Sequence, residues 1–278
     1  MQWLTLAVSL ITAAVVAPPL VRSLRANGFV RENYRGVSVA FPAGIAIPVA
    51  ALIALIPLAL LAELADTDVF PPGARAGLTY VVGVAFLGLL DDFVGSDLPA
   101  RGWRGHARAA ARGGLTTGAI KAAGSLGLAL FVLWGAGDSA GEYLLGAAVL
   151  VVATNLFNLL DLRPGRSAKA LVLLGAGLTI GAMDADPLWA IGVFAGPILV
   201  LLPLDLSEVG MLGDTGSNAI GAVAGVWLVL ALSTTGQAVA LAVMAAVTVY
   251  GEFRSIAKVI DRTPGLRHLD SLGRITHA

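Results

Sequence analysis

Nine apolar stretches, divided by short polar segments, constrain this chain more than any other feature. A helix needs roughly 20 apolar residues to cross a bilayer. Counting on that basis places spans near 3–21, 39–62, 76–90, 115–136, 143–160, 168–184, 188–204, 215–233 and 236–251, with the third and ninth short. Only 13% of the 278 residues are charged, where soluble domains carry about 25%. The expected fold is therefore all-α, a polytopic membrane bundle of about nine transmembrane helices over residues 1–251, followed by a tail over 252–278. The first run, Trp3–Leu20, lacks a preceding basic region and a small-x-small cleavage site, and reads as a retained span rather than a signal peptide.

Charge gives the orientation. Seventeen of the eighteen Lys and Arg fall in alternate connections, with Arg75 alone on the other side. By the positive-inside rule that side is cytoplasmic, with the N-terminus outside and the tail inside. The expected location is the cytoplasmic membrane. A net charge of zero without a basic block argues against a nucleic-acid partner, and the absence of cysteine excludes disulfides and thiolate chemistry. Three dispersed His are too few for a histidine metal cage.

Acidic residues sort differently. Glu63, Asp66, Asp68, Asp138, Glu142, Asp184 and Asp186 sit in outer turns, where solvation accounts for them. Asp91, Asp92, Asp161 and Asp214 instead abut apolar runs at cytoplasmic span ends, and four carboxylates at one depth point to one site. Within Gly210–Gly221, Asp214 precedes Thr215, Gly216 and Ser217 at a helix mouth. Either Asp214 is the N-cap, or it holds a cation while the following backbone N–H groups cradle an anion. Adjacent Asp91 and Asp92 repel unless a cation neutralises them or one carboxyl stays protonated; the alternative is a polar stop at the membrane boundary. Asn155, Asn158 and Asp161 follow at i, i+3, i+6, one helical face suited to a hard cation or to hydroxyls; interhelical hydrogen bonding serves equally for the two Asn. The loop Arg101–Arg112 concentrates four Arg, which fits a diphosphate or simply anionic headgroups. Gly221-xxx-Gly225 reads as close helix packing.

In their order and text these stretches resemble the polyprenyl-phosphate N-acetylhexosamine-1-phosphate transferase family, which includes phospho-MurNAc-pentapeptide translocase. The acidic pair Asp91-Asp92, the stretch Asn155 to Asp161 and Gly213 to Ser217 are similar to three family motifs. Pro264-Gly265-Leu266-Arg267-His268 with Gly273 echoes a fourth, leaving a remnant His motif in the tail. The resemblance spans about residues 30 to 274. It implies transfer of a sugar-1-phosphate from a nucleotide sugar, UDP-linked in the family, to a polyprenyl (undecaprenyl) phosphate, with release of UMP, in cell-wall and peptidoglycan-type biogenesis. It further implies Mg²⁺, with Mn²⁺ as a substitute, on Asp214 and Asn158. Catalytic roles fall to Asp91, Asp92 and Asp214. Substrate contacts fall to Lys121, Asn155, Asn158, Asp161, Gly216, Ser217 and His268, and a homodimer is implied.

The chain departs from the family where the donor is read. A second carboxylate is replaced by Pro164, an early Pro-Thr-x-Gly-Gly by Ala40-Phe41-Pro42-Ala43-Gly44, and two of three His by Leu266 and Arg267, and a tenth span is missing. Two other readings stand beside the enzyme: a repurposed homologue that binds lipid phosphate, and an ion-coupled transporter, which would place its carboxylates near mid-membrane on discontinuous helices.

Overall fold

A computed structural model of the chain describes residues 1–95, 116–137 and 139–275. Among them the secondary structure is helical apart from one two-stranded hairpin. In chain order the elements are α1 (Leu4–Ala26), β1 (Val30–Glu32), β2 (Ser38–Ala40), a 3₁₀ turn (Ala43–Ile45), α2 (Ala46–Leu64), α3 (Ala74–Val94), α4 (Thr117–Leu133) and α5 (Ala140–Leu160). There follow α6 (Arg166–Ala182), α7 (Asp186–Ala190), α8 (Gly192–Leu206), α9 (Gly213–Ala231), α10 (Thr234–Phe253), α11 (Ile256–Arg262) and α12 (Pro264–Ser271). Five helical stretches are long and apolar enough to cross a membrane: Leu4–Ala26, Ala43–Leu64, Ala74–Val94, Ala140–Leu160 and Thr234–Gly251. Thr117–Leu133 and Gly192–Leu206 are apolar but shorter. The second span, expected from residue 39, begins later, because Ser38–Ala40 is a strand paired with Val30–Glu32. The hairpin is short because Asn33 closes it, its side chain accepting from the backbone N–H groups of Arg35 and Val37, a common use of Asn in turns.

The bundle is built around α9. Thr215 to Leu228 is buried without interruption, and its neighbours α3, α5 and α6 close on it. Such a helix must be narrow, since small residues let neighbouring backbones approach closely. Gly221 packs against α5 so closely that a Cβ there would lie 2.7 Å from the Thr154 Cα, and one on Gly225 would meet the Leu150 Cα at 3.1 Å. Gly88 of α3 meets the backbone of Asp214 in the same way. On the opposite side α1 crosses α8 at Gly192 and Gly196, where Ser9 Oγ donates to the Gly192 carbonyl at 2.8 Å and Thr5 Oγ1 to that of Trp189 at 2.8 Å.

The tail is structured over α11 and α12 and docks on the start of α6. Arg166 donates to both oxygens of Asp270 at 2.8 and 2.9 Å, and Arg274 joins them at 2.7 Å. Lys169 Nζ donates to the carbonyls of Leu269, Asp270 and Leu272, so an ammonium closes the C-terminal end of α12, where helix carbonyls lack partners and the dipole favours a cation.

Substituting Gly221→Ala should lower the apparent Tm in detergent by several degrees, overpacking of this kind costing about 1–3 kcal/mol. Gly177→Ala, where nothing lies within 4 Å, should leave it unchanged or raise it. Differential scanning fluorimetry of the two variants checks the crossing.

Candidate functional site

The site is assembled where α9 begins. The strand β2 and the 3₁₀ turn grip the approach: Met211 N–H donates to the Ala40 carbonyl at 2.9 Å, Ala43 N–H to that of Met211 at 2.8 Å, and Gly44 N–H to that of Leu212 at 3.0 Å. Gly213 then turns into the helix at φ 68°, where a Cβ would also press against the Asp92 carboxylate at 2.7 Å. Only glycine suits both demands.

The first turn of α9 is capped from another helix. Asp92, near the end of α3 and 6% exposed, accepts the Asp214 N–H on one oxygen at 2.8 Å, and the Thr215 N–H and hydroxyl on the other at 2.8 and 2.6 Å. A carboxylate among the first free N–H groups of a helix is stabilised by those bonds and by the dipole. This corrects two expectations. Asp214 is not the N-cap, for it lies inside the first turn and Leu212 stands at the cap. Nor is the Thr215 N–H, the first of the three expected to cradle an anion, free to do so, because Asp92 already accepts from it.

Asp91 points elsewhere. Lys121 of α4 donates to Asp91 Oδ2 at 3.0 Å and to Asp214 Oδ2 at 2.5 Å, and the Thr117 hydroxyl also reaches Asp91. Asn158 of α5 donates to the same Asp214 oxygen at 3.3 Å and accepts from Ser217 Oγ at 3.3 Å. Four helices thus meet at one ammonium between two carboxylates. The three side chains stay partly accessible, at 17% for Lys121, 19% for Asp91 and 31% for Asp214, so the charges are half withdrawn from water yet within reach of a ligand.

The other expected residues separate. Gly216 is buried against the Cα of Gly44; it permits the turn to sit on α9, and its backbone faces that turn rather than a ligand. Asn155, Asn158 and Asp161 do not act as one face, because α5 ends at Leu160 and Asp161 leaves the helix at ψ 45°. Asn155 and Asn158 line a cleft of about 150 Å³ with Lys121, Ser125, Thr154 and Asn218. Asp161 lines a different hollow with Asn33, Tyr34, Arg163, Asp205 and Glu208. There its burial, and then the negative charges of Asp205, Asp214 and Asp92, push its carboxyl well above the usual range. Pro164 gives its carbonyl to Arg274 at 3.0 Å. His268 is exposed on α12, and among the described residues no hydrogen bond ties its side chain to the Lys121 cluster. The Arg101–Arg112 loop lies outside the described residues.

Three residues join the site without having been singled out in the sequence. Arg31 donates to the Asp92 carbonyl at 3.2 Å and lies 3.8 Å over the Phe41 ring; the Asn33–Gly36 turn was its only signal. Asp205, whose carboxylate receives the Gly165 N–H at 2.6 Å, was hidden at the end of an apolar run. Asn218 looked like an ordinary residue of a span. No protein-family model matches the chain, and no curated protein matches it at a significant level.

Asp92→Ala should lower the apparent Tm, since losing a cap costs about 0.5–2 kcal/mol, and Asp92→Asn should recover part of the loss; thermal unfolding in detergent measures both. The tail provides a pH test. Burial opposes ionisation of Asp270, but the Arg166 and Arg274 guanidiniums outweigh it and hold the carboxyl below its ordinary value. A depressed folded value means that docking is fully supported above the unfolded value of about 3.9 and weakens as pH falls through the lower folded value. A nitroxide on Ser271→Cys, in a chain with no other cysteine, should gain mobility below about pH 4 and be mobile at neutral pH in Asp270→Asn.

Proposed function

We propose that the protein transfers a sugar-1-phosphate from a nucleotide sugar, UDP-linked by resemblance, to a membrane polyprenyl phosphate and releases the nucleoside monophosphate. The observation that carries this reading is the meeting of Asp91, Lys121, Asn158 and Asp214 at the ends of four packed helices. Residues from four separate stretches of a membrane bundle have no packing reason to converge as charges, and desolvating them is costly unless they serve a ligand. The carboxylates sit at helix ends and share one cation, which differs from the mid-membrane placement of the transporter reading.

The donor set suits a hard divalent ion. Two carboxylates face a place that already accommodates the ammonium of Lys121, and Mg²⁺ is commonly held by one or two carboxylates together with substrate phosphates. Among the described residues no group of three or more Asp, Glu or His is placed to hold a metal ion by itself, which a site shared with substrate phosphates does not need. Asp214 and Asp91 would hold the ion, joined by the Asn158 oxygen once its amide turns over and releases Ser217. When bound, Mg²⁺ or Mn²⁺ would neutralise charge on the donor's diphosphate.

The chain's own groups would then divide the work. Lys121 swings from carboxylate to phosphate, acting as a point charge on a flexible stem. Asp91 orients the acceptor by accepting a hydrogen bond from its phosphate. An oxygen of that phosphate attacks the sugar-linked phosphorus, a new phosphoanhydride forms, and the bond to the nucleoside monophosphate breaks, that group leaving with the electron pair. Positioning supplies much of the barrier reduction. Asp92 touches neither substrate; it positions Asp214 by setting where α9 starts. The hollow at Asp161, Asp205 and Arg163, with Tyr34 stacked 4.2 Å from the Arg163 guanidinium, would take the nucleoside. Nine crossings, the N-terminus outside, the site on the cytoplasmic face of the cytoplasmic membrane and a homodimer complete the proposal. It accounts for the location: the acceptor's tail must stay in lipid while its phosphate meets a water-soluble donor.

Purified protein with undecaprenyl phosphate, Mg²⁺ and a panel of nucleotide sugars should yield a lipid-linked sugar diphosphate detectable by mass spectrometry. Asp214→Asn and Asp91→Asn should each cut the rate by about 10²–10³, the scale seen when one preorganised charge is removed. No product from any donor would sink the proposal.

A further inference from the structure

Beneath the charged cluster the cleft has a second tier. On α4, Ser125 follows Lys121 by four residues; on α5, Asn155 precedes Asn158 by three; on α9, Asn218 follows Asp214 by four. At these spacings each pair shares a helix face. All of these residues but Asp214 border the same cleft. The lower tier therefore lies one helical turn, about 5.4 Å, further into the bundle. Its character changes with depth, from an ammonium and a carboxylate above to two carboxamides and a hydroxyl below.

Asn218 makes this tier more than a polar lining. Its side chain is 1% exposed, and both its amide nitrogen and its amide oxygen lack a hydrogen-bond partner. Leaving both ends of a buried amide unpaired is expensive, and a leucine of similar size would avoid the cost. A neighbouring threonine shows the contrast: Thr154 donates to the Leu150 carbonyl at 2.9 Å and pairs with the Tyr80 hydroxyl at 3.1 Å. A group that both donates and accepts would satisfy Asn218. Asn155 stands exposed at the same cleft and offers the same pair of functions.

We infer that the lower tier of this cleft, Asn218 with Asn155 and Ser125, is the recognition site for the hydroxyl- or carboxamide-bearing part of the ligand whose phosphate lies at Lys121. This rests on the proposed transfer reaction, and within it assigns the sugar of the donor to the space below the diphosphate. One helical turn is the distance from a sugar-linked phosphorus to the far substituents of its ring. Three polar groups set in an otherwise largely apolar lining that includes Ala122 and Val151 fit a sugar, whose ring offers both apolar C–H faces and hydroxyls.

The test compares binding of UDP, UDP-glucose and UDP-N-acetylglucosamine, with Mg²⁺, to protein in nanodiscs by calorimetry. Wild-type protein should bind at least one nucleotide sugar about five- to tenfold more tightly than UDP, the gain of one or two well-made hydrogen bonds. Asn218→Leu should bind UDP unchanged and lose that advantage, while its apparent Tm without ligand holds or rises. Asn155→Leu, on an exposed position that does not endanger folding, should reduce the advantage in the same direction. A larger loss with UDP-glucose points to a hydroxyl contact, and one confined to UDP-N-acetylglucosamine points to the acetamide. If sugars and UDP bind the wild type equally, or if both variants keep the wild-type ratio, Asn218 merely holds water and the inference is overturned while the transfer reaction stands. If the wild type binds none of the three, the proposed reaction with these donors fails and takes the inference with it.

Discussion

The carboxylate of Asp92 on the first turn of α9 is the interaction on which the rest of the site depends. It comes from α3, it is buried, and it takes three hydrogen bonds from Asp214 and Thr215. That contact fixes where α9 starts and at what rotation. Asp214, inside the same turn, is thereby aimed at Lys121, and Asn218, four residues on, at the cleft below. The close approaches at Gly88, Gly213 and Gly216 all surround this point, and each removes a side chain that would push α3 or the 3₁₀ turn away. Small residues and a borrowed cap are one device: the first lets the backbones meet, and the second satisfies the donors that a buried helix start would otherwise leave bare.

A consequence is that the adjacent acids do different work. Asp92 spends its lone pairs on backbone N–H groups, whereas Asp91 faces the ammonium that Asp214 also claims. Two carboxylates drawn toward one cation, with an amide and a hydroxyl beside them, make a polar cluster at the edge of an apolar bundle. Its hydrogen bonds and ion pairs hold α3, α4, α5 and α9 in register, and its partial exposure leaves it open to exchange partners. An arrangement of this kind can give up its internal cation contacts to a phosphate and a metal without moving the helices.

Much of the fold could be read from apolar run lengths, because crossing a bilayer and satisfying every backbone group are demands that leave a plain trace. What run length could not show was the difference between a helix facing lipid and one facing protein. α9 is the most enclosed helix, and its small, hydroxyl-rich start marks that burial more than any membrane depth. The end of the second strand was absorbed into the second span because Val39 and Ala40 are apolar, and only the Asn33–Gly36 turn betrays the hairpin. Charge sorting found Asp91, Asp92 and Asp214 together. It could not separate their roles, which depend on a rotation of about 100° between adjacent helical residues. The i, i+3, i+6 pattern grouped Asp161 with Asn158 because periodicity assumes the helix continues, and here it stops one residue short. Asn218 left no trace, since an amide in a span is ordinary until its surroundings show that nothing answers it.

The central claim is that Asp91, Lys121, Asn158 and Asp214 form a site for a divalent cation with a diphosphate. Electron paramagnetic resonance of Mn²⁺ with the purified protein and UDP tests it most directly. One tightly bound Mn²⁺ per chain, dependent on UDP and lost in Asp214→Ala, is the predicted result. Mn²⁺ that stays free in the presence of UDP, or that binds equally well without the Asp214 carboxylate, would contradict it.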